Sequence, residues 1–385
     1  MPWLGSAAGE RTVWWKTRIS RRILLGSALT ATAAAGTACS QAAVESRQRR
    51  VSGQSGVVTP PPKATVLSAF DLHVADKAGL AELFERVSRV PATKAEVTLA
   101  VGASLFDGRF GLGKQKPRRL REMPAFPNDV LDPAQCGGDL LVQVCATDAQ
   151  TAREAAEQIK IVAGVSPKWS INGFRDENSN TVDGRPSTRD LFGFREGAGN
   201  PDPRDSELMD RLVWVQPGGE EPEWAVGGTY QVVRLIRFAP ALWDSESVAR
   251  QEAVIGRRRS DGAPLGQAGE TAAFDYANDQ SGQTIALDAH IRLANPRTPG
   301  TEEHRILRRG YSYRRDGVER DEGLVFICFQ QDLERGFATV QRRLSGQALD
   351  KYVLPFGGGY FFVLPGASGR DGDHLGKALL AAADA

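Results

Sequence analysis

The hydrophobic period of this chain switches between two and 3.6 residues in two successive stretches, and few folds accept that alternation. ATVLSAFDLHV (64–74) is rich in β-branched and aliphatic residues and predicts a strand. In DKAGLAELFERVSRV, Leu80, Leu83, Phe84 and Val87 recur at helical spacing behind Asp76, a suitable N-cap. AEVTLAVGASLF and GGDLLVQVCATD predict two further strands, and AQTAREAAEQIKIVAG an amphipathic helix. The first half therefore reads β-α-β-β-α, an α+β sandwich of ferredoxin-like kind. The second half repeats the alternation. GGTYQVVRLIRFA predicts a strand, ALWDSESVARQEAVIG a helix, DLERGFATVQRRLSG another helix and GGYFFVLPG a closing strand. Between the helices, GLVFICFQ is unbroken in its apolar character, which predicts a strand buried on both faces.

The two halves flank FGFREGAGNPD (192–202), which has three glycines and a proline in eleven residues. Such a run is neither a helix interior nor a central strand. It lodges a single glutamate, Glu196, between Arg195 and Gly197 in a tight loop.

The N-terminus has a different character. TRISRRILLGSALTATAAAGTACSQAA runs from a basic start through a Leu/Ala/Thr stretch to small residues, the order of an export signal. Its Arg21-Arg22 pair, followed by Ile-Leu-Leu, resembles a twin-arginine signal, and residues 1–43 are assigned to it. The apolar part is too short for a membrane-spanning helix, which needs about twenty residues. GTAC at 36–39 has some likeness to a lipid-attachment site, with Gly36 where an aliphatic residue is preferred, so a lipid on Cys39 is the minority alternative to cleavage near Ala43. A polar, Pro-rich linker covers 44–62, and the two halves are set at 63–205 and 206–385.

With 385 residues and a formal net charge of +1, the chain has room for two domains and carries no nucleic-acid footprint. The basic runs KQKPRRLR and IGRRRS read as solvated loops rather than phosphate sites. Beyond Cys39 there are three cysteines without metal-ligand spacing, and Cys145 and Cys328 read as buried small apolar residues. There is no HExxH, CxxC, GxSxG or P-loop, which removes the usual support for hydrolase and nucleotide-binding readings. Of the four histidines, His73, His304 and His374 read as structural or solvated, and His290 is of interest only if it has a partner.

The partner lies eighteen residues on, at Arg308 in RILRRGYSY. Taken together and in order, GGDLLVQVCATD, GFREGAGNPD, GGTYQVVRLIRF, HIRLANPR, RILRRGYSY, FICFQ and GGYFFVLPG resemble the dye-decolorizing peroxidases, in particular the exported branch that includes the deferrochelatase/peroxidase of bacterial ferrous-iron uptake. The resemblance covers nearly all of the chain beyond Gly53. It implies two ferredoxin-like modules of the dimeric α/β barrel type enclosing one haem b per chain. It also implies His290 as the iron ligand and Arg308 on the opposite face of the haem. Glu196 is implied as the distal acid, Gly197, Ala198 and Gly199 as haem contacts, and Asn295, Pro296 and Arg297 as the border of the propionates. H2O2 and a small-molecule or dye reductant are the implied partners, with an iron-uptake permease and a homodimer as further possibilities.

Those residue types suit the chemistry. An imidazole holds iron while its other nitrogen is hydrogen-bonded. A guanidinium keeps its charge at every working pH and stabilises developing negative charge. An acid shuttles the proton, and glycines let backbone approach a flat ring. The chain departs from the family at Glu196, where Asp is usual. Glu196 either folds back as the acid–base group, works through a water, points away and leaves Arg308 as chief catalyst, or simply pairs with a nearby arginine. It also departs at SGQSG (52–56), which lacks the histidine common in relatives, and that segment reads as structural.

Overall fold

Strands β1 (Ala64–Phe70), β2 (Ala95–Gly102), β3 (Leu140–Ala146) and β4 (Trp169–Phe174) open the computed structural model in the order β2-β3-β1-β4, each antiparallel to its neighbour. The structure describes residues 53–384 apart from 91–93, 164–165, 176–179, 183–184, 316, 318–320, 369 and 371, with backbone alone for 180–182 and 185–187. The expected signal at 1–43 and most of the linker lie outside the described residues. Helix α1 (Lys77–Ser88) links β1 to β2, and α2 (Ala149–Ala163) links β3 to β4. Asp76 caps α1, its carboxylate accepting the Gly79 N–H at 2.9 Å. Leu80, Leu83, Phe84 and Val87 are buried against the sheet, as their spacing predicts. This is a complete βαββαβ unit of ferredoxin-like kind.

A short hairpin of β5 (Asn180–Val182) and β6 (Arg185–Ser187) and helix α3 (Ser206–Leu212) lead to the second module. There β7 (Thr229–Phe238) is followed by α4 (Pro240–Asp244), α5 (Val248–Ile255) and α6 (His290–Ala294). Next come β8 (Leu307–Arg308), β9 (Tyr311–Arg314), β10 (Glu322–Gln330), α7 (Thr339–Leu344), β11 (Val353–Val363) and α8 (Lys377–Ala382). β8 and β9 pair with β10 in one register, Arg308 opposite Cys328 and Tyr311 opposite Val325, so they act as a single strand. The order β11-β7-β10-β8/β9 repeats the first module's topology.

The two sheets join at both ends. β11 pairs with β2, and β4 with β9 through Phe174 and Ser312, which closes an antiparallel barrel of eight strand positions. Leu67, Leu141, Leu235, Ile327 and Phe361 are fully buried in a core drawn from all around the ring. A second core lies between the first sheet and its helices. The arm at 53–62 is tied across the seam: the Gln54 amide donates to Leu99 O and Leu364 O, one from each module, at 2.8 Å. That segment is structural, as the sequence predicts.

Four expectations change. The strand at 64–74 ends at Phe70, and the helix expected over 241–256 is two, α4 and α5, broken at Ser245. β10 is not uniformly buried: Val325 and Ile327 face the barrel, while Leu324 and Phe326 on the outer face are half-buried. Arg257 in IGRRRS is 5% exposed rather than solvated. Two strands, β4 and β8/β9, were not expected from the sequence.

Candidate functional site

The site is built on the outer face of the second sheet. Alternation along β10 puts Leu324, Phe326 and Cys328 on that face, and the register puts Arg308 beside Cys328. Ile236 of β7, opposite Leu324, adds another half-buried apolar side chain.

The loop at 188–200 lies over this face and is fastened to Arg308. Arg308 Nη2 donates to Ala198 O at 2.9 Å, and its backbone N–H and Nε both donate to Asn200 Oδ1 at 3.2 Å. Asn200 Nδ2 returns a bond to Arg308 O at 2.8 Å. Gly197 and Gly199 hold φ of 84° and 81°, which side chains resist. A Cβ on Gly197 would meet nothing within 4 Å, so this stretch of loop backbone borders open space.

Glu196 turns toward the β8/β9 junction. A Cβ on Gly310 would come within 2.9 Å of Glu196 Oε1, and Glu196 Oε2 lies 3.6 Å from Arg175 Nη1. The ion pair that the sequence left as one alternative is therefore formed, yet the carboxylate stays two residues from Arg308 along the strand. Burial lowers the proton affinity of Arg308, and the Glu196 charge opposes that shift. Beneath the loop, Asp190 Oδ1 accepts the Phe194 N–H at 2.9 Å. Burial, and then the Glu196 charge, push Asp190 up to about 7 from 3.8. The folded state thus holds a proton that the unfolded state releases, and this contribution to stability is lost as pH rises from 3.8 through about 7. Asp190→Asn is expected to flatten that dependence: the melting temperature of the variant should change less than that of wild type between pH 5 and pH 8, and equal changes would refute the assignment.

His290 opens α6. Its Nδ1–H donates to Gln347 Oε1 at 2.8 Å, which leaves Nε2 without a proton and available to a metal. Burial lowers the proton affinity of His290, and so does the charge of Arg308, which places the two side chains within electrostatic reach of each other. Asn295 ends α6, its Oδ1 accepting the Arg297 N–H at 3.2 Å, and Pro296 follows. Arg297 adopts φ 54° and lays its guanidinium 4.4 Å from the Phe274 ring.

Four residues around the site were not singled out from the sequence: Arg257, Asn200, Arg175 and Gln347. Arg257 shares the Phe274 ring with Arg297, and a Cβ on Gly199 would lie 3.8 Å from its Nη2. It donates to Gly262 O and Glu270 O at 2.7 and 3.0 Å. Burial, then the Arg308 charge, push it down to about 10. The only sequence signals were an arginine run and the Asn-Pro that closes the glycine loop; nothing marked Arg175 or Gln347.

The family model described as Dyp-type peroxidase, N-terminal, matches residues 54–175, and the C-terminal model matches residues 187–368. The chain belongs to the DyP-type peroxidase family. Among its relatives, the deferrochelatases of Shigella flexneri and Escherichia coli O157:H7 are each 42% identical to it over 362 residues, covering 85% of this chain and 86% and 85% of theirs. Ferric DtpA from Streptomyces lividans is 35% identical with a TM-score of 0.76, over 86% of this chain and 95% of its own. A DyP-type peroxidase from Cellulomonas bogoriensis is 34% identical with a TM-score of 0.76, over 85% and 96%. The chain is a member of the deferrochelatase-like branch, with the two-module ferredoxin-like fold of DyP-type peroxidases. Haem is the cofactor, one haem b per chain.

The residues of this DyP-type peroxidase suit that group. An imidazole with a bare nitrogen, half-buried apolar side chains beside Arg308 and a glycine loop bordering open space suit an iron macrocycle. The cations Arg257 and Arg297, which share the Phe274 ring, suit its propionates. Among the described residues, the buried Tyr276 hydroxyl, Arg305 Nε and Arg343 Nη1 have no hydrogen-bond partner, and all three belong to segments near these groups.

Proposed function

We propose that this DyP-type peroxidase uses H2O2 to oxidise phenolic or dye-like donors, with His290 as the iron ligand, Arg308 as the chief distal catalyst and Glu196 as its acid–base partner. When bound, the haem supplies the redox-active iron at which peroxide is reduced. Gly197, Ala198 and Gly199 would lie against it, and Asn295, Pro296, Arg297 and Arg257 would hold its propionates. Arg308 is held by Ala198 and Asn200 so that its guanidinium needs no rearrangement to meet negative charge on a departing oxygen. Glu196, ion-paired with Arg175, takes and returns a proton beside it. The single observation that carries the reading is the fastening of Arg308 to the 196–200 loop on the sheet face whose electrostatics it shares with His290.

The test is the absorption spectrum of haem-loaded protein before and after H2O2, together with turnover of a phenolic donor. An unchanged Soret band on adding peroxide would end the reading. Glu196→Gln keeps the shape but cannot carry the proton, and kcat/KM for H2O2 is expected to fall on the order of 100-fold. A loss below threefold would reduce Glu196 to the partner of Arg175.

A second reading is favoured by the 42% identity to deferrochelatases: a haem-handling protein of iron uptake, acting beside a permease. Incubation with haem followed by assay of free iron and porphyrin fluorescence separates the two. For location, we propose twin-arginine export to the periplasm, cell surface or medium. Replacing Arg21 and Arg22 together by lysine should leave the protein in the cytoplasm on fractionation.

A further inference from the structure

We infer that Arg175 and Gly310 are positioning residues for the Glu196 carboxylate: Arg175 holds one oxygen by charge, and Gly310, by lacking a side chain, leaves room for the other. This rests on the reading of Glu196 as the acid–base group beside Arg308.

The seat is assembled across the joint between the two sheets. Arg175 directly follows β4, and its N–H donates to Lys63 O at 2.8 Å, which extends the pairing of β4 with β1 by one step. Its guanidinium reaches the second module, where Nη1 donates to Gly310 O at 2.6 Å and the group lies 5.6 Å from the centre of the Tyr311 ring. Nη2 donates to Thr188 Oγ1 at 2.9 Å. Thr188 O in turn accepts the Glu196 N–H at 2.8 Å, so one residue ties the backbone of the acid to the guanidinium. These contacts fix the guanidinium independently of the carboxylate, and Glu196 Oε2 lies 3.6 Å from Nη1. The side chains of Arg175 and Glu196 are only 8% and 16% exposed, so salt screens this pair far less than an ion pair on the surface.

Gly310 bounds the other oxygen. A Cβ there would stand 2.9 Å from Glu196 Oε1, 3.5 Å from its carboxyl carbon and 3.3 Å from Leu324 Cδ1. Gly310 is not among the glycines at positive φ, so its backbone does not call for glycine; the room does. Glutamate reaches one methylene further than aspartate would, and that reach sets its two oxygens between Gly310 and Arg175. The last torsion of a glutamate is soft. The two neighbours remove that freedom before any substrate arrives, which is what a group that must meet a proton requires.

Gly310→Ala puts a methyl group against the Glu196 oxygen. The expected result is a fall in kcat/KM for H2O2 of about 10- to 100-fold, the cost of moving a catalytic group by about 1 Å. Glu196→Asp draws the acid back and clears the methyl, so in that background Gly310→Ala should cost almost nothing further. Arg175→Gln keeps a donor for Gly310 O and removes the charge. Measured as the melting temperature of the full chain, with and without haem, its loss should be smaller or reversed in the Glu196→Gln background, where the partner charge is already gone. A wild-type rate in Gly310→Ala, losses that multiply when it is combined with Glu196→Asp, or a melting-temperature change for Arg175→Gln that is equal in both backgrounds would each overturn the inference. If Gly310→Ala does not fold, the Arg175 cycle decides alone. Wild-type turnover in Glu196→Gln sinks the reading of Glu196 as the acid instead, a failure the melting temperatures do not share.

Discussion

His290→Ala is expected to leave reconstitution with haem weakly bound and spectrally altered. As the proposed ligand, His290 at the start of α6 would supply the covalent anchor, and its Nδ1 bond to Gln347 leaves Nε2 to meet the iron. Losing a residue behind a metal ligand costs about 10–100-fold in affinity, so losing the ligand should cost at least the upper end of that range. Titration of apoprotein with haem, followed at the Soret band, measures it directly. Added imidazole, entering the space the side chain leaves, should restore much of the wild-type spectrum. A variant with wild-type affinity and band position would show that His290 does not hold the iron.

Arg308→Leu is expected to retain haem and lose the reaction with peroxide. The guanidinium donates through Nε to Asn200 Oδ1 and through Nη2 to Ala198 O, so its orientation is set before any ligand arrives. Removing one preorganised donor of this kind costs on the order of 100–1,000-fold in rate, and the loss should appear in kcat/KM for H2O2 measured by stopped flow. Arg308→Lys keeps the charge but not the planar fork, and should fall between leucine and wild type. Equal rates in wild type and Arg308→Leu would move the catalytic assignment elsewhere, with Glu196 the next group to replace.

The sequence carried the helices and buried strands well because burial is written in hydrophobic period. α1, α2, β1, β3, β7 and β11 each bury a regular set of apolar residues, and each was legible. β4, WSINGF, and β8/β9, LRRGYSYR, were not, because polar residues interrupt them. In β8/β9 the interruption is a pair of arginines on opposite faces: Arg308 faces the candidate site and Arg309 faces the barrel, bonded to Thr59 and Glu96. His290 and Arg308 were picked out by motif. Their supporting residues were not, since Gln347, Asn200 and Arg257 gain meaning only when the chain brings them together across 57, 108 and similar numbers of positions. Glu196 was legible as an acid in a glycine loop, but its pairing with Arg175 depended on the unread strand β4, which delivers that arginine.

The closed ring of strands makes the two modules unequal dependants. Severed from its neighbour, either half would present two raw strand borders with unpaired amides and carbonyls, the usual templates for clumping. The half that carries His290 and Arg308 thus depends on the other half both to cover its strand borders and to supply Arg175 and the loop that fastens Arg308. An attempt to trim this catalyst to a minimal pocket would lose the scaffold before it lost the cofactor.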